Sequence, residues 1–69
     1  MDIGHKIKEY RFKNDMTQKD LANLLHVSFQ AVSKWEHNEA EPSLDTLVEM
    51  TKVFKCSVDD LFNLKEGGK

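Results

Sequence analysis

Apolar residues recur along this chain three and four positions apart, and polar caps interrupt them at short intervals. Ile3, Ile7, Tyr10, Arg11 and Asn14 share one face of a helix predicted from about Ile3 to Lys13, ended by Asn14-Asp15. Thr17-Gln18-Lys19-Asp20 is a capping box: the Thr17 hydroxyl can accept from the Asp20 amide, and the Asp20 carboxylate can reach back. Met16 and Leu21 occupy the two positions of a hydrophobic staple around it. The second helix then carries Leu21, Ala22, Leu24 and Leu25 and stops near His26. Ser28 offers a fresh N-cap for a third helix running from Phe29 to about His37, with Val32 and Trp35 inward. The stretch Asn38-Glu39-Ala40-Glu41-Pro42 breaks the pattern. Ser43 caps a fourth helix whose Leu44, Leu47, Val48, Met50, Thr51 and Phe54 are predicted to face inward. A second capping box, Ser57-Val58-Asp59-Asp60, opens a short fifth helix with Leu61 and Phe62. No stretch alternates as a strand does, so the fold class is all-α with five short helices.

Only His26 and Val27 separate Leu25 from the Ser28 cap. Two helices joined by so tight a turn cannot lie antiparallel and must cross steeply, which is helix-turn-helix geometry. Ala22 is the small residue that close approach of the two helices needs, and Val32 fits the inward position on the second.

Composition narrows the reading. A chain of 69 residues is a single domain, and such a domain buries only roughly 60% of its unfolded surface. Its 39% hydrophobic and 32% charged residues are those of a soluble globular protein. No apolar run approaches the roughly 18 residues of a membrane span. Met1-Asp2-Ile3-Gly4-His5-Lys6 lacks the apolar core of a signal peptide, so the expectation is a cytoplasmic protein with no membrane partner. The single Cys56 excludes an internal disulfide, and one cysteine with three scattered histidines has no metal spacing. No nucleophile–base set or phosphate loop is present, so the reading is no enzyme, no metal, no cofactor and no small-molecule ligand. Residues 1–64 are read as one domain and residues 65–69 as a flexible C-terminal tail.

The net charge of −2 argues against a polyanion partner, but its distribution softens the objection. Residues 1–38 carry six Lys/Arg against five Asp/Glu, and residues 39–69 carry four against seven. The N-terminal half is therefore the better face for nucleic acid.

Several motifs together resemble the Xre-type, Cro and lambda-repressor-like helix-turn-helix family. Met16-Thr17-Gln18-Lys19-Asp20-Leu21-Ala22 is similar to its second helix, and Val27-Ser28-Phe29-Gln30-Ala31-Val32-Ser33-Lys34-Trp35-Glu36 to its recognition helix. Pro42-Ser43-Leu44-Asp45-Thr46-Leu47 and Ser57-Val58-Asp59-Asp60-Leu61-Phe62 are similar to the starts of its fourth and fifth. The match covers residues 3–63. It implies a compact five-helix domain, with the helix-turn-helix formed by helices 2 and 3, binding palindromic operator DNA as a homodimer. Gln18 then falls at a phosphate-contact position, with the helix starts at Thr17 and Ser28 fixing register. Gln30 falls at a base-reading position, where glutamine can bind an adenine edge bidentately. Phe29, Ser33 and Lys34 share the presented face. Arg11 and Glu36 match a family salt bridge that ties the first helix to the end of the recognition helix.

The chain also departs from the family. Phe29 stands where a polar or basic residue is common, and it fits a thymine-methyl contact, a partner contact or a partly packed residue equally. His26 occupies a turn position that is commonly glycine and needs positive φ. Glu39-Ala40-Glu41 is acidic where many relatives are basic.

Plainer roles fall to other residues. Trp35 is structural, and Cys56 is a small buried hydrophobe rather than a redox switch. Phe12 and Leu24 face solvent by period, and the acidic residues of the last two helices are caps and a solvated face. The expected function is a sequence-specific DNA-binding repressor, with a dimer surface at Val58, Phe62 and Leu64. The alternative is a protein-interaction module of the same fold, binding an antitoxin or anti-repressor partner.

Overall fold

A computed structural model describes residues 3–62, and the predicted Leu64 contact lies outside them. Five helices follow in order: α1 (Ile3–Lys13), α2 (Gln18–Leu25), α3 (Phe29–Glu36), α4 (Leu44–Phe54) and α5 (Val58–Phe62). Serine and threonine caps begin four of them, because a hydroxyl can take a first-turn amide that has no intrahelical partner. Thr17 accepts from Asp20 N, Ser28 from Ala31 N and Ser43 from Thr46 N. Both arms of the Thr17–Asp20 capping box are made, at 3.0 and 2.9 Å. At α5, Ser57 and Asp60 exchange the same reciprocal bonds, each at 3.0 Å.

The first four helices all end in one way. Asp15, His26, Asn38 and Lys55 have φ of 55°, 60°, 58° and 57°. In each case the next amide reaches back five residues: Met16 N to Arg11 O, Val27 N to Ala22 O, Glu39 N to Lys34 O, and Cys56 N to Thr51 O. These are Schellman closures, which glycine usually makes because left-handed backbone crowds a Cβ. None of the four corners is glycine.

The core is a single cluster of Ile3, Ile7, Leu21, Ala22, Leu25, Val32, Trp35, Leu47, Met50, Phe54 and Leu61. Tyr10 and Phe54 stack with ring centroids 5.5 Å apart, joining α1 to α4. Helix α1 packs on α3 and α5, α2 on α3 and α4, and α4 on α5. Cys56 is half-buried against the core, and burial pushes its thiol above the ordinary cysteine range. Such a thiol is a poor nucleophile.

Two expectations about faces are corrected. Leu44 and Val48 do not point inward; they are 73% and 40% exposed. Helix α4 buries only the narrow stripe Leu47, Met50 and Phe54, and Leu44 and Val48 form the neighbouring stripe one residue round. Asn14 is also exposed, its side-chain amide donating to the Tyr10 carbonyl at 2.8 Å just beyond α1.

Candidate nucleic-acid interface

Helix α3 is anchored on one side and open on the other. Val32 and Trp35 are buried, whereas Phe29, Gln30 and Lys34 are exposed and Ser33 is half-buried. Positions 29, 30, 33 and 34 are one helical turn apart in pairs, so they form a continuous stripe. Those are the four residues that the family resemblance assigned to the presented face.

Two bonds from Arg11 on α1 fix the attitude of that stripe. Arg11 Nε donates to Glu36 Oε2 at 2.7 Å and its Nη2 donates to Glu36 Oε1 at 3.1 Å, a bidentate fork. Its remaining arm, Nη1, donates to the Met16 carbonyl at 2.9 Å. Both side chains are nearly buried, at 8% and 4% exposure. Burial of charge is tolerable here because both carboxylate oxygens and all three guanidinium nitrogens have partners.

Gln18 joins this network. Its Nε2 donates to Glu36 Oε1 at 3.1 Å, which fixes the flip of the half-buried amide. The predicted phosphate contact is thus a positioned side chain with one donor already used. Thr17 and Ser28 are exposed, and their oxygens accept cap bonds. Backbone bonds from Thr17 hold the Asp20 carboxyl below the usual range, so this carboxylate stays charged beside the start of α2.

Sequence reasoning missed several groups at the junction. Lys19 Nζ lies 5.5 Å from the centroid of the Phe29 ring, a cation–π contact between the starts of α2 and α3. Lys19, Ala22, Asn23, Val27, Ser28, Phe29 and Gln30 line a cleft of about 290 Å³ there. The signal for Lys19 was its place beside the capped start of α2, but sequence cannot reveal the ring beneath it. His37 extends the α3 stripe by one turn. Gly4 was overlooked as well: its N–H donates to Asn38 Oδ1 at 3.2 Å, and a Cβ there would collide with the Trp35 and Glu36 carbonyl oxygens.

Of the predicted association residues, Val58 and Phe62 lie apart from this stripe, on α5, which packs on α1 and α4. Val58 is 39% exposed. Phe62 is half-buried and lines a cavity of about 240 Å³ with Ile3, Glu41, Pro42 and Leu47, so much of its ring is intramolecular packing. Among the described residues no helix is long and apolar enough to cross a membrane, and no cluster of three metal-ligating side chains occurs.

Two short capped helices meeting at a left-handed corner, the second presenting one face and burying the other, define a helix-turn-helix domain. The chain belongs to the Helix-turn-helix family, matching it over residues 7–61. It is 33% identical to the HTH-type transcriptional activator BcrR of Enterococcus faecalis, over 96% of this chain and 32% of that protein. It is 41% identical to the HTH-type transcriptional regulator DicA of Escherichia coli, over 83% of this chain and 42% of that protein. The chain therefore spans less than half the length of either relative. Its fold is similar to the crystal structure of the c2 repressor of Salmonella phage P22 in complex with a synthetic operator. That similarity has a TM-score of 0.80 at 36% identity, covering 86% of this chain and 89% of the repressor chain.

Proposed function

We propose that this chain is a sequence-specific DNA-binding domain of a transcriptional repressor, with α3 as its recognition helix. The observation that carries the reading is the anchored, one-sided presentation of α3, on a fold shared with a repressor solved on its operator. In this reading Phe29, Gln30, Ser33 and Lys34 face base edges in the major groove. Gln18 and the helix starts at Thr17 and Ser28 set register on phosphates. Two copies on a palindrome would place their recognition helices in successive major grooves about 34 Å apart. Val58, Phe62 and Leu64 are the residues assigned to that pairing. Occupancy would then exclude polymerase, although an activator among the relatives shows that the same kind of domain also serves the opposite sign.

Selection of bound sequences from a random duplex pool tests this directly. The expected product is a two-fold palindrome whose affinity falls steeply with added salt. Enrichment of a single half-site, with a monomer in sedimentation both free and bound, would remove the dimer. Failure to enrich any sequence would remove the DNA-binding reading and favour a protein partner.

A further inference from the structure

The cleft where α2 meets α3 holds a cation beside the residues that face base edges. Lys19 and Asn23 of α2 and Phe29 and Gln30 of α3 line it, together with Ala22 and Val27. Lys19 is exposed, and its Nζ lies 5.5 Å from the centroid of the Phe29 ring. Lys6, Lys13 and Lys52 each pair with a glutamate on their own helix. Among the described residues Lys19 forms no ion pair, and the carboxylate next to it, Asp20, is turned to the Thr17 cap. The aromatic face stands where an anion would. It attracts the charge but offers no lone pair, so the N–H donors of the ammonium remain for an outside acceptor.

We propose that Lys19 is a base-reading residue supplied by α2, its ammonium held by the Phe29 ring and donating to the O6 and N7 acceptors of a guanine in the major groove. The inference rests on the DNA-binding reading above. Phosphates offer acceptors too, and the place of the ring decides between the two sources. Phe29 is the first residue of α3 and belongs to the stripe assigned to base edges. Lys19 leans on that ring and shares a cleft with Gln30, so its charge is held on the base side of the junction. Of the base edges in the major groove, only guanine sets two acceptors side by side. Adenine and thymine put a donor or a methyl beside their single acceptor, and cytosine presents a donor. A long, flexible side chain loses much freedom when it is fixed on a partner, and contact with the ring lowers that loss in advance. With Gln30 on an adenine edge, the guanine should fall on a neighbouring base pair.

The duplex enriched from the random pool supplies the test, with 7-deazaguanine replacing each guanine in turn to remove only the N7 acceptor. At one guanine per half-site the replacement should weaken the parent roughly tenfold, within the range of a good bidentate contact. Lys19→Met should carry at least that loss already and lose nothing more to 7-deazaguanine, with unfolding unchanged because the position is exposed. Lys19→Arg should keep the sensitivity, since a guanidinium also binds this edge bidentately. Phe29→Leu should abolish the sensitivity although Lys19 is intact, and Phe29→Tyr, which keeps the aromatic face, should preserve it. A ring that served only its own base contact would leave the N7 effect unmoved in Phe29→Leu, and that result would overturn its part in holding the cation. Lys19→Met that keeps the parent's 7-deazaguanine losses and lowers the salt slope by about 0.9 identifies a phosphate contact and overturns the base reading. A parent insensitive at every guanine overturns it as well, whereas failure to enrich any duplex removes the DNA-binding reading itself.

Discussion

Gln18 Nε2 donates to Glu36 Oε1 at 3.1 Å, tying the first residue of α2 to the last residue of α3. The same oxygen accepts from Arg11, so one carboxylate sets both the attitude of the recognition helix and the side chain nearest the start of α2. Stability and DNA contact are therefore expected to share a cause.

Removing one partner of the Arg11–Glu36 pair leaves a charge stranded at 8% or 4% exposure. Arg11→Met should cost roughly 3–5 kcal/mol in urea unfolding, as other broken buried pairs do. Arg11→Met combined with Glu36→Leu should recover much of that loss. Single-mutant losses that simply add in the double mutant would mean the residues are energetically uncoupled.

Readout should separate from stability at Gln30 and Phe29. Gln30→Ala should cost about 1–3 kcal/mol of affinity on the enriched duplex and much less on random DNA, with unfolding unchanged. If Phe29 touches a thymine methyl, replacing thymine by uracil at one position should weaken the parent and leave Phe29→Ala unaffected. Equal losses for both proteins would assign the ring to packing against Lys19 instead.

Gly4 sits where the start of α1 meets the end of α3, with no room for a side chain. Gly4→Ala should destabilise by about 1–3 kcal/mol, the usual cost of an overpacked site, despite the better helix propensity of alanine. Unchanged stability in thermal unfolding would show that the two helices can part without loss.

The left-handed corners predict the opposite sign. Glycine at His26 or Lys55 relieves a backbone cost of about 1–2 kcal/mol and gives back part of it as unfolded-chain entropy. His26→Gly and Lys55→Gly should each stabilise by about 0.5–1 kcal/mol. Asn38→Gly should not, because it discards the acceptor that holds the Gly4 amide. A loss at both His26 and Lys55 would show that their side chains contribute more than the corner costs.

Caps and periodicity made the helices legible. Thr17, Ser28, Ser43 and Ser57 each mark a helix start found in the structure, since capping is a local bond between near neighbours in sequence. The inward side of α4 was only partly legible: Leu44 and Val48 have the right chemistry for a core, but which stripe is covered depends on where α2 and α5 lie. Arg11 and Glu36 came from family resemblance, because no local rule links residues 25 apart. Gln18's bond to Glu36, the ring beneath Lys19 and the tight seat of Gly4 all join separate helices, so they became visible only once the helices were packed.

Gly4 and Arg11 grip the end of α3 from two points along α1, one by close backbone approach and one by a charged fork. A recognition helix splinted in this way has little freedom to tilt or slide toward an imperfect groove. In a complex of the proposed kind the accommodation would fall on the duplex, which must twist or bend until its groove suits the helix. The cost of that deformation varies with base sequence even at steps no side chain reaches. Preference for a site would then include the stiffness of DNA outside the stripe from Phe29 to His37, set by a residue with no side chain on the far end of the first helix.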